Sequence, residues 1–431
     1  MTTITISSGV TSSGLVISKG STLLVEDGGI VSASFVDGDE TISAGGLSID
    51  DSIHNEASAT VFGSASGARV GINGELRVSS GGVATATTAV GGLVTVLSGG
   101  LAVDTHIDGD GDFRSGFIEV VGSASGVLLE GYAAIEIYGG VVTNLRMVGG
   151  VDRPDSGFVD GTAIDAKVSN ALLNTEGDGR LSGATVYSGG EVHVGAVVGG
   201  GTAIDVVVES SGSLLADETG VASRTIAEAG SLVSVGLAGS AVDTFVRSAG
   251  VLSVASHGLS EGARVSGGGL ELVDGAGATS GDYVLSGGGL DAGSGASVSG
   301  LTVSGGAAFH WSKGALVGDL TIHTGADIFL NATSAKATIS AGDLYITSNN
   351  GSAITSAPLV GGGAGFTLTS DTSSAGQTEF IVDKAAPLPE THPALLAQSI
   401  ATFGGVHGIA GGTSAHSAQL TSAAAEMLKP R

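Results

Sequence analysis

The most constraining feature of this chain is a phrase that restarts at a fixed interval. Val265-Ser-Gly-Gly, Val284-Leu-Ser-Gly-Gly and Val303-Ser-Gly-Gly begin 19 residues apart. The same anchor, an aliphatic residue followed by polar residues and glycine, recurs at Val168, Val186, Val208, Ile226, Val246, Ile322 and Ile339. A looser form appears at Ile17, Ile42, Val61, Val78, Val96 and Ile137. A constant period near 20 residues marks a chain built of stacked, self-similar units.

Within a unit the pattern is that of a strand. Leu270-Glu-Leu, Leu301-Thr-Val and Leu320-Thr-Ile alternate with period 2. Gly-Gly and Gly-Ala steps separate runs of three to five residues, and glycine turns a chain sharply without a Cβ clash. With 76 glycines in 431 residues, helix is disfavoured by about 1 kcal/mol per glycine relative to alanine. Short strands, tight corners and one period predict an all-β fold, a right-handed parallel β-helix (β-solenoid) of coils of roughly 19 residues. Right-handedness is expected because parallel crossovers almost always take that hand. Val265, Val284, Val303 and Ile322 are then expected to form one internal column. A regular part from Ile6 to about Val382 would make roughly 19 or 20 coils, roughly 90 Å of rod at about 4.8 Å per coil.

The predicted organisation is a solenoid over residues 1–383, irregular and loop-bearing at 104–180, then a linker at 384–393. A non-solenoid tail follows at 394–431. KAAPLPETHP (384–393) holds three prolines, and ALLAQSIATF (394–403) has the apolar spacing of a short amphipathic helix through Leu395, Leu396, Ile400 and Phe403.

Composition excludes several classes. Hydrophobic residues make up 42% of the chain, which disfavours disorder, and there is no three-residue glycine period with abundant proline, as collagen requires. Sixteen Lys and Arg against 42 Asp and Glu give a net charge of −26, which repels nucleic acid and anionic lipid. The absence of cysteine removes disulfides and thiolate chemistry. Ser79–Val103 is uncharged and as long as a membrane span, but three Gly-Gly pairs among Ser and Thr read as soluble strands and turns. The N-terminal MTTITISSGVTSSGLVISKG shows neither a basic nor a continuous apolar region of a cleavable signal.

VSSGGVATATTAVGGLVTVLSGGLAVDT (78–105) and VYSGGEVHVGAVVGGGTAIDVVV (186–208) resemble the repeats of AIDA-type autotransporter adhesins, and the likeness extends over most of residues 10–345. The resemblance implies a right-handed β-helix passenger acting in adhesion or self-association at the bacterial cell surface. The chain departs from that family in lacking the aromatic-girdled strands of a translocator barrel. Its tail instead resembles the uncleaved C-terminal signal of one-step secretion. The expected localisation is therefore extracellular or at the cell surface.

The candidate chemistry is sparse. Asp108, Asp110, Asp112 and Glu119 occupy positions 1, 3, 5 and 12 of a calcium-loop pattern, although Phe113 stands where the sharp turn needs glycine. Calcium is thus the one cofactor to consider; otherwise no cofactor is expected. Asp152, Asp155, Asp160 and Asp165, near Arg153, are candidate acids without the i, i+2 spacing that would pair them on a strand face. Trp311, beside His310, offers a ring for a sugar or a cover for a coil edge. The nine histidines are scattered off the coil period, and the threonines recur at no fixed offset as an ice-binding ladder would require. The expectation is a non-enzymatic structural or adhesive protein whose partner is a second copy or a surface polysaccharide, with no nucleic acid and no membrane span. The alternatives are a carbohydrate-active β-helix enzyme and an intracellular scaffold polymer.

Overall fold

The computed structural model describes residues 2–109, 115–150, 154–195, 199–255, 257–312, 314–331, 335–340, 343–348, 353–360, 366–372 and 378–384. It is an all-β solenoid of about 17 coils of about 19 residues, with no helix among the described residues. The chain divides into two compact units, Met1–Ile204 and Asp205–Arg431.

In the first unit one lap consists of three short strands. Thr22–Val25 forms a first face, Ile30–Ser32 a second and Phe35–Val36 a third. The next lap repeats them as Asp39–Ile42, Leu47–Ile49 and Ser52–Ile53, each parallel to its predecessor. The pleat turns the second and fourth residues of the first face inward, with one residue from each of the other faces. Register carries these inward positions from lap to lap. On the third face Ile17, Val36, Ile53, Val70, Ala89, Ile107, Leu129, Met147, Val168 and Val186 form one unbroken column. All ten are at most 1% exposed. At about 25 cal/mol per Å² the burial of such columns drives the stacking, because no single lap can hide its own apolar side.

The glycine phrases are corners. In Val96-Leu-Ser-Gly-Gly, Gly99 has φ +78°, and a Cβ on Gly100 would run into the Val78 carbonyl of the preceding lap. The first glycine is thus required by conformation and the second by space. The corner between second and third faces is one left-handed residue, most often Gly, Asp or Asn: Asp50, Asp104, Asn144 and Asp165 have φ of 54–56°, while Ala33 and Ala86 take the same conformation at 51° and 52°.

In the second unit the predicted column is found as expected. Val246, Val265, Val284, Val303 and Ile322 pair directly in succession and are fully buried. Three expectations need correction. The anchor in the Ile226 lap is Ala227, which pairs with Val246, while Ile226 points outward beside Phe245. In the first unit Ile42, Val61, Val78 and Val96 belong to a first-face column and not to the third-face column of Ile17. The same Ser-Gly-Gly phrase closes both corners, so the phrase alone does not say which column precedes it.

The third correction concerns the C-terminal strands. Ile339 pairs antiparallel with Leu344, and Ile322 takes Leu359 as its partner. Ala335–Ser340, Asp343–Ser348 and Ala353–Val360 form an antiparallel run, and Phe366–Thr372 and Thr378–Lys384 a second, the latter lying antiparallel to Ala326–Asn331. Lap-by-lap parallel stacking therefore stops before residue 335, short of the predicted Val382, and the later parallel pairing of Thr321–His323 with Ala353–Val360 is made by the last strand of the first antiparallel run. The physical reason is length. Two residues separate Ser340 from Asp343, whereas a parallel crossover needs a dozen or more.

The irregularity predicted at 104–180 does not interrupt the core, since the third-face column runs through Ile107, Leu129, Met147 and Val168. Residues 110–114 and 151–153 lie outside the described residues, as do the linker and tail expected over 384–431 apart from Lys384, which ends the strand Thr378–Lys384. No described helix is long and apolar enough to cross a membrane.

Candidate functional site

Because aliphatic columns fill the interior, recognition chemistry falls to the outward positions. On the third face of the second unit these are Val207, Ile226, Phe245, Arg264, Tyr283 and Thr302, paired in that order. The Arg264 guanidinium lies 5.6 Å from the Phe245 ring centroid and 5.9 Å from that of Tyr283. Phe245 and Tyr283 nonetheless remain 38% and 44% exposed. Both aromatics thus hold the cation while offering an open edge to solvent. Leu285, at the following corner, is also exposed. Close by in the fold, Arg224 makes two 2.7 Å bonds to Asp205, and Arg247 donates to Glu228 at 2.9 and 2.6 Å.

In the first unit the outward first face carries a pair of adjacent carboxylates. Glu119 and Glu136 are neighbours on successive laps. Tyr138 donates its hydroxyl to Glu136 at 2.8 Å, and that bond, with burial and the nearby carboxylates, pushes its pKa up to about 12.

The interior holds charges as well. Glu40 stands in the first-face column between Leu23 and Ala59. Its lap also carries Asp51, which accepts from the Ser34 amide at 2.6 Å and the Ser48 hydroxyl at 2.7 Å. Glu271 stands in the corresponding column of the second unit between Leu252 and Leu290. Asp282 of its lap accepts from the Ala263 amide at 2.7 Å and the Ser260 hydroxyl at 3.2 Å. Burial, then the adjacent aspartate, holds both glutamates well above the usual carboxylate range.

The sequence reading missed both glutamates. In Leu270-Glu-Leu the alternation is real but its phase is reversed: Glu271 faces inward at 0% exposure, and Leu270 and Leu272 face outward. The signal was available, because Leu252, Glu271, Leu290 and Phe309 stand 19 apart.

The predicted site residues are distributed as follows. Asp108 ends the third-face strand His106–Asp108, and Glu119 lies on the first-face strand Phe117–Val120. Strands, not helices, therefore flank the calcium-loop pattern, and Asp110 and Asp112 lie outside the described residues. Among the described residues no three His, Cys, Asp or Glu side chains gather as a metal site would require. Asp155 is buried and accepts from the Tyr132 and Ala133 amides at 3.0 and 2.9 Å. Asp165 is a left-handed corner, Asp160 lies on an outward position beside Tyr138, and Asp152 and Arg153 are outside the described residues.

Trp311 turns inward opposite Ala292, where the small neighbour leaves room, and donates its Nε1–H to the Ala315 carbonyl at 3.2 Å. It is 6% exposed, so it is not available to stack on a sugar. His310 packs flat on Phe329 at 4.2 Å, and burial lowers its pKa to about 4.

No protein-family model and no curated protein matches this sequence. Among solved structures, a TibC-catalysed, hyper-glycosylated TibA fragment is similar at 25% identity over 72% of this chain and 97% of the fragment, with a TM-score of 0.47. The Dettilon tailspike protein matches at 11% identity over 76% of this chain and 69% of its own, with a TM-score of 0.23. A tailspike protein of Escherichia coli bacteriophage HK620, in complex with a hexasaccharide, matches at 11% identity over 89% and 84%, also at 0.23.

Proposed function

We propose that this chain is a non-enzymatic, secreted or surface-exposed β-solenoid of the AIDA-type adhesin kind, and that its work is self-association. The observation that supports this most is the outward stripe Phe245–Arg264–Tyr283. Tyr, Phe and Arg are the residues that interfaces enrich at their centres. Here they stand together, exposed, on a chain whose formal charge is −26. A cation bracketed by two rings suits an acidic partner, and a second copy of this chain supplies one, for example the Glu119 and Glu136 face. Two such copies repel each other at long range, so association strengthens as salt screens that repulsion. The candidate acids favour the non-enzymatic reading, because Asp155 is tied to main-chain amides and Asp165 forms a corner.

Sedimentation of the purified protein across ionic strength, with electron microscopy of the products, tests this reading. Association is expected near physiological salt and is expected to be lost in a Phe245→Ser/Arg264→Ser/Tyr283→Ser variant that keeps the wild-type circular dichroism. A folded triple variant that associates as the wild type does rules the stripe out. Turnover of polysaccharides by the wild type overturns the non-enzymatic reading.

A further inference from the structure

Each unit contains one lap in which the aliphatic column is broken by a glutamate and answered by an aspartate in the same lap. The interval is the same in both: 51 − 40 = 11 and 282 − 271 = 11. Their surroundings repeat too. Each aspartate sits at the buried corner before the third-face strand, with one oxygen on the amide of the preceding lap's corner residue and the other on a second-face serine hydroxyl.

The glutamates are less well served. Neither oxygen of Glu271 has a hydrogen-bond donor, and neither does Oε1 of Glu40. Ser260 and Thr279 flank Glu271, yet neither hydroxyl is placed to make a well-formed bond to it, and the Thr279 hydroxyl is itself unpartnered at 2% exposure. The inward residues facing Glu271 and Asp282 are Leu252, Ser260 and Ala263 on the lap before and Leu290, Val298 and Leu301 on the lap after. Their own lap adds Val273, Thr279 and Val284. Those facing Glu40 and Asp51 are Leu23, Val31, Ser34, Ala59, Ala65 and Ala68, with Ile42, Ser48 and Ile53 in their own lap. None of these is titratable or charged. Two ionised carboxylates, buried side by side with no cation facing them, are not tolerable.

We propose that Glu40–Asp51 and Glu271–Asp282 are two proton-binding sites built into the core, each holding one proton between two carboxyl groups. The glutamic acid donates its O–H to the aspartate, and the pair carries one negative charge, which the main-chain amide and serine hydroxyl stabilise. The ligand is thus a proton, and the laps that hold it tighten in acid. The sign follows from linkage. The unfolded chain has released these protons above pH ~5 while the folded pair retains one. The stabilisation is complete below that range and is lost as pH rises through the folded pair's own titration.

Amide hydrogen exchange on the full-length protein between pH 5 and 9 tests this at the Ser34 and Ala263 amides, which donate to the two aspartates. Their opening constants, corrected for intrinsic exchange, are expected to climb with pH, by up to about tenfold per pH unit while the folded pair keeps the proton that the opened chain releases, and to level off once the folded pair sheds it. In a Glu40→Gln/Glu271→Gln variant, whose amides donate at every pH, the climb is expected to vanish. Infrared spectra supply a second measurement, with a protonated carboxylic acid band at neutral pH that is stronger in the wild type than in the variant, since Asp291 contributes equally to both. Flat exchange in the wild type, an unchanged climb in the variant, or an acid band no stronger in the wild type than in the variant overturns the proposal. So does suppression of the opening by added sodium, potassium or calcium chloride relative to an equal ionic strength of choline chloride, which would assign the sites to a metal cation.

Discussion

Two inward columns of the second unit run side by side and obey different rules. On the third face, Val246, Val265, Val284, Val303 and Ile322 are all aliphatic. On the first face, Val233, Leu252, Glu271, Leu290, Phe309 and Ile328 admit a carboxyl group in their midst. The third-face strands are two or three residues long and contribute a single inward side chain per lap, so a polar residue there has few neighbours to answer it. The first-face position looks across the lap toward the second-face residue and the corner, where Ser260, Thr279 and Asp282 stand. A stacked core therefore accepts a polar residue where the same lap, or the one before it, supplies its partner.

Breaking the aliphatic column should have the largest effect. Val284→Asp places an unanswered charge between Val265 and Val303 and is expected to cost ~3–5 kcal/mol. Urea melts read alongside local hydrogen exchange check this, with protection lost around residues 265–303. Next comes His310. Burial lowers its pKa to about 4, so the unfolded chain takes up a proton that the folded chain refuses. Stability at this site is present above pH ~6.5 and declines toward pH 4, with ~3 kcal/mol as the ceiling set by linkage. Asp291, its partner on the preceding lap, is raised to about 7 by burial and Asp274 and so offers little charge to an imidazolium. Melting curves of His310→Gln against wild type between pH 7 and 4 should show the decline removed. Its direction is opposite to that of the glutamate pairs.

The comparison is sharpened by moving a pair. Val233 and Thr244 stand 11 apart in one lap, as Glu271 and Asp282 do. Val233→Glu alone should destabilise, and adding Thr244→Asp should restore ~1–3 kcal/mol, a coupling measurable by a double-mutant cycle. The smallest effect is expected at the surface. Arg224→Ala removes the bonds to Asp205, but both partners are half exposed, so equilibrium melts should barely move.

Much of the fold was legible because one physical constraint, the perimeter of a lap, wrote itself into the sequence as a period. Val265, Val284, Val303 and Ile322 were placed correctly from spacing alone. The misassigned anchors share a cause. Ser-Gly-Gly reports a corner, and a lap has two corners of that kind, so the phrase marks Ile42 and Val78 as it marks Ile17 although they stand in different columns. Phase was lost in Leu270-Glu-Leu because local alternation cannot say which residue is inside, whereas the 19-residue offset to Leu252 and Leu290 can. The change to antiparallel pairing after Asn331 was hidden because Ile339 still fits the period while its neighbours leave no room for a crossover. The outward stripe was not legible from any one lap, since Phe245, Arg264 and Tyr283 meet only when register is known.

The central claim is that residues one lap apart lie directly over each other. The chain has no cysteine, so any disulfide introduced into it is unambiguous. Thr302 and Thr321 are outward register partners on successive laps, and strands spaced ~4.8 Å apart fall within disulfide reach. Thr302→Cys/Thr321→Cys should close an intramolecular disulfide under mild oxidation, mapped by mass spectrometry. Tyr283→Cys/Thr321→Cys, two laps apart at ~10 Å, should not. Failure of the first pair to close in the folded protein, or equal closure of both, would contradict the stacking.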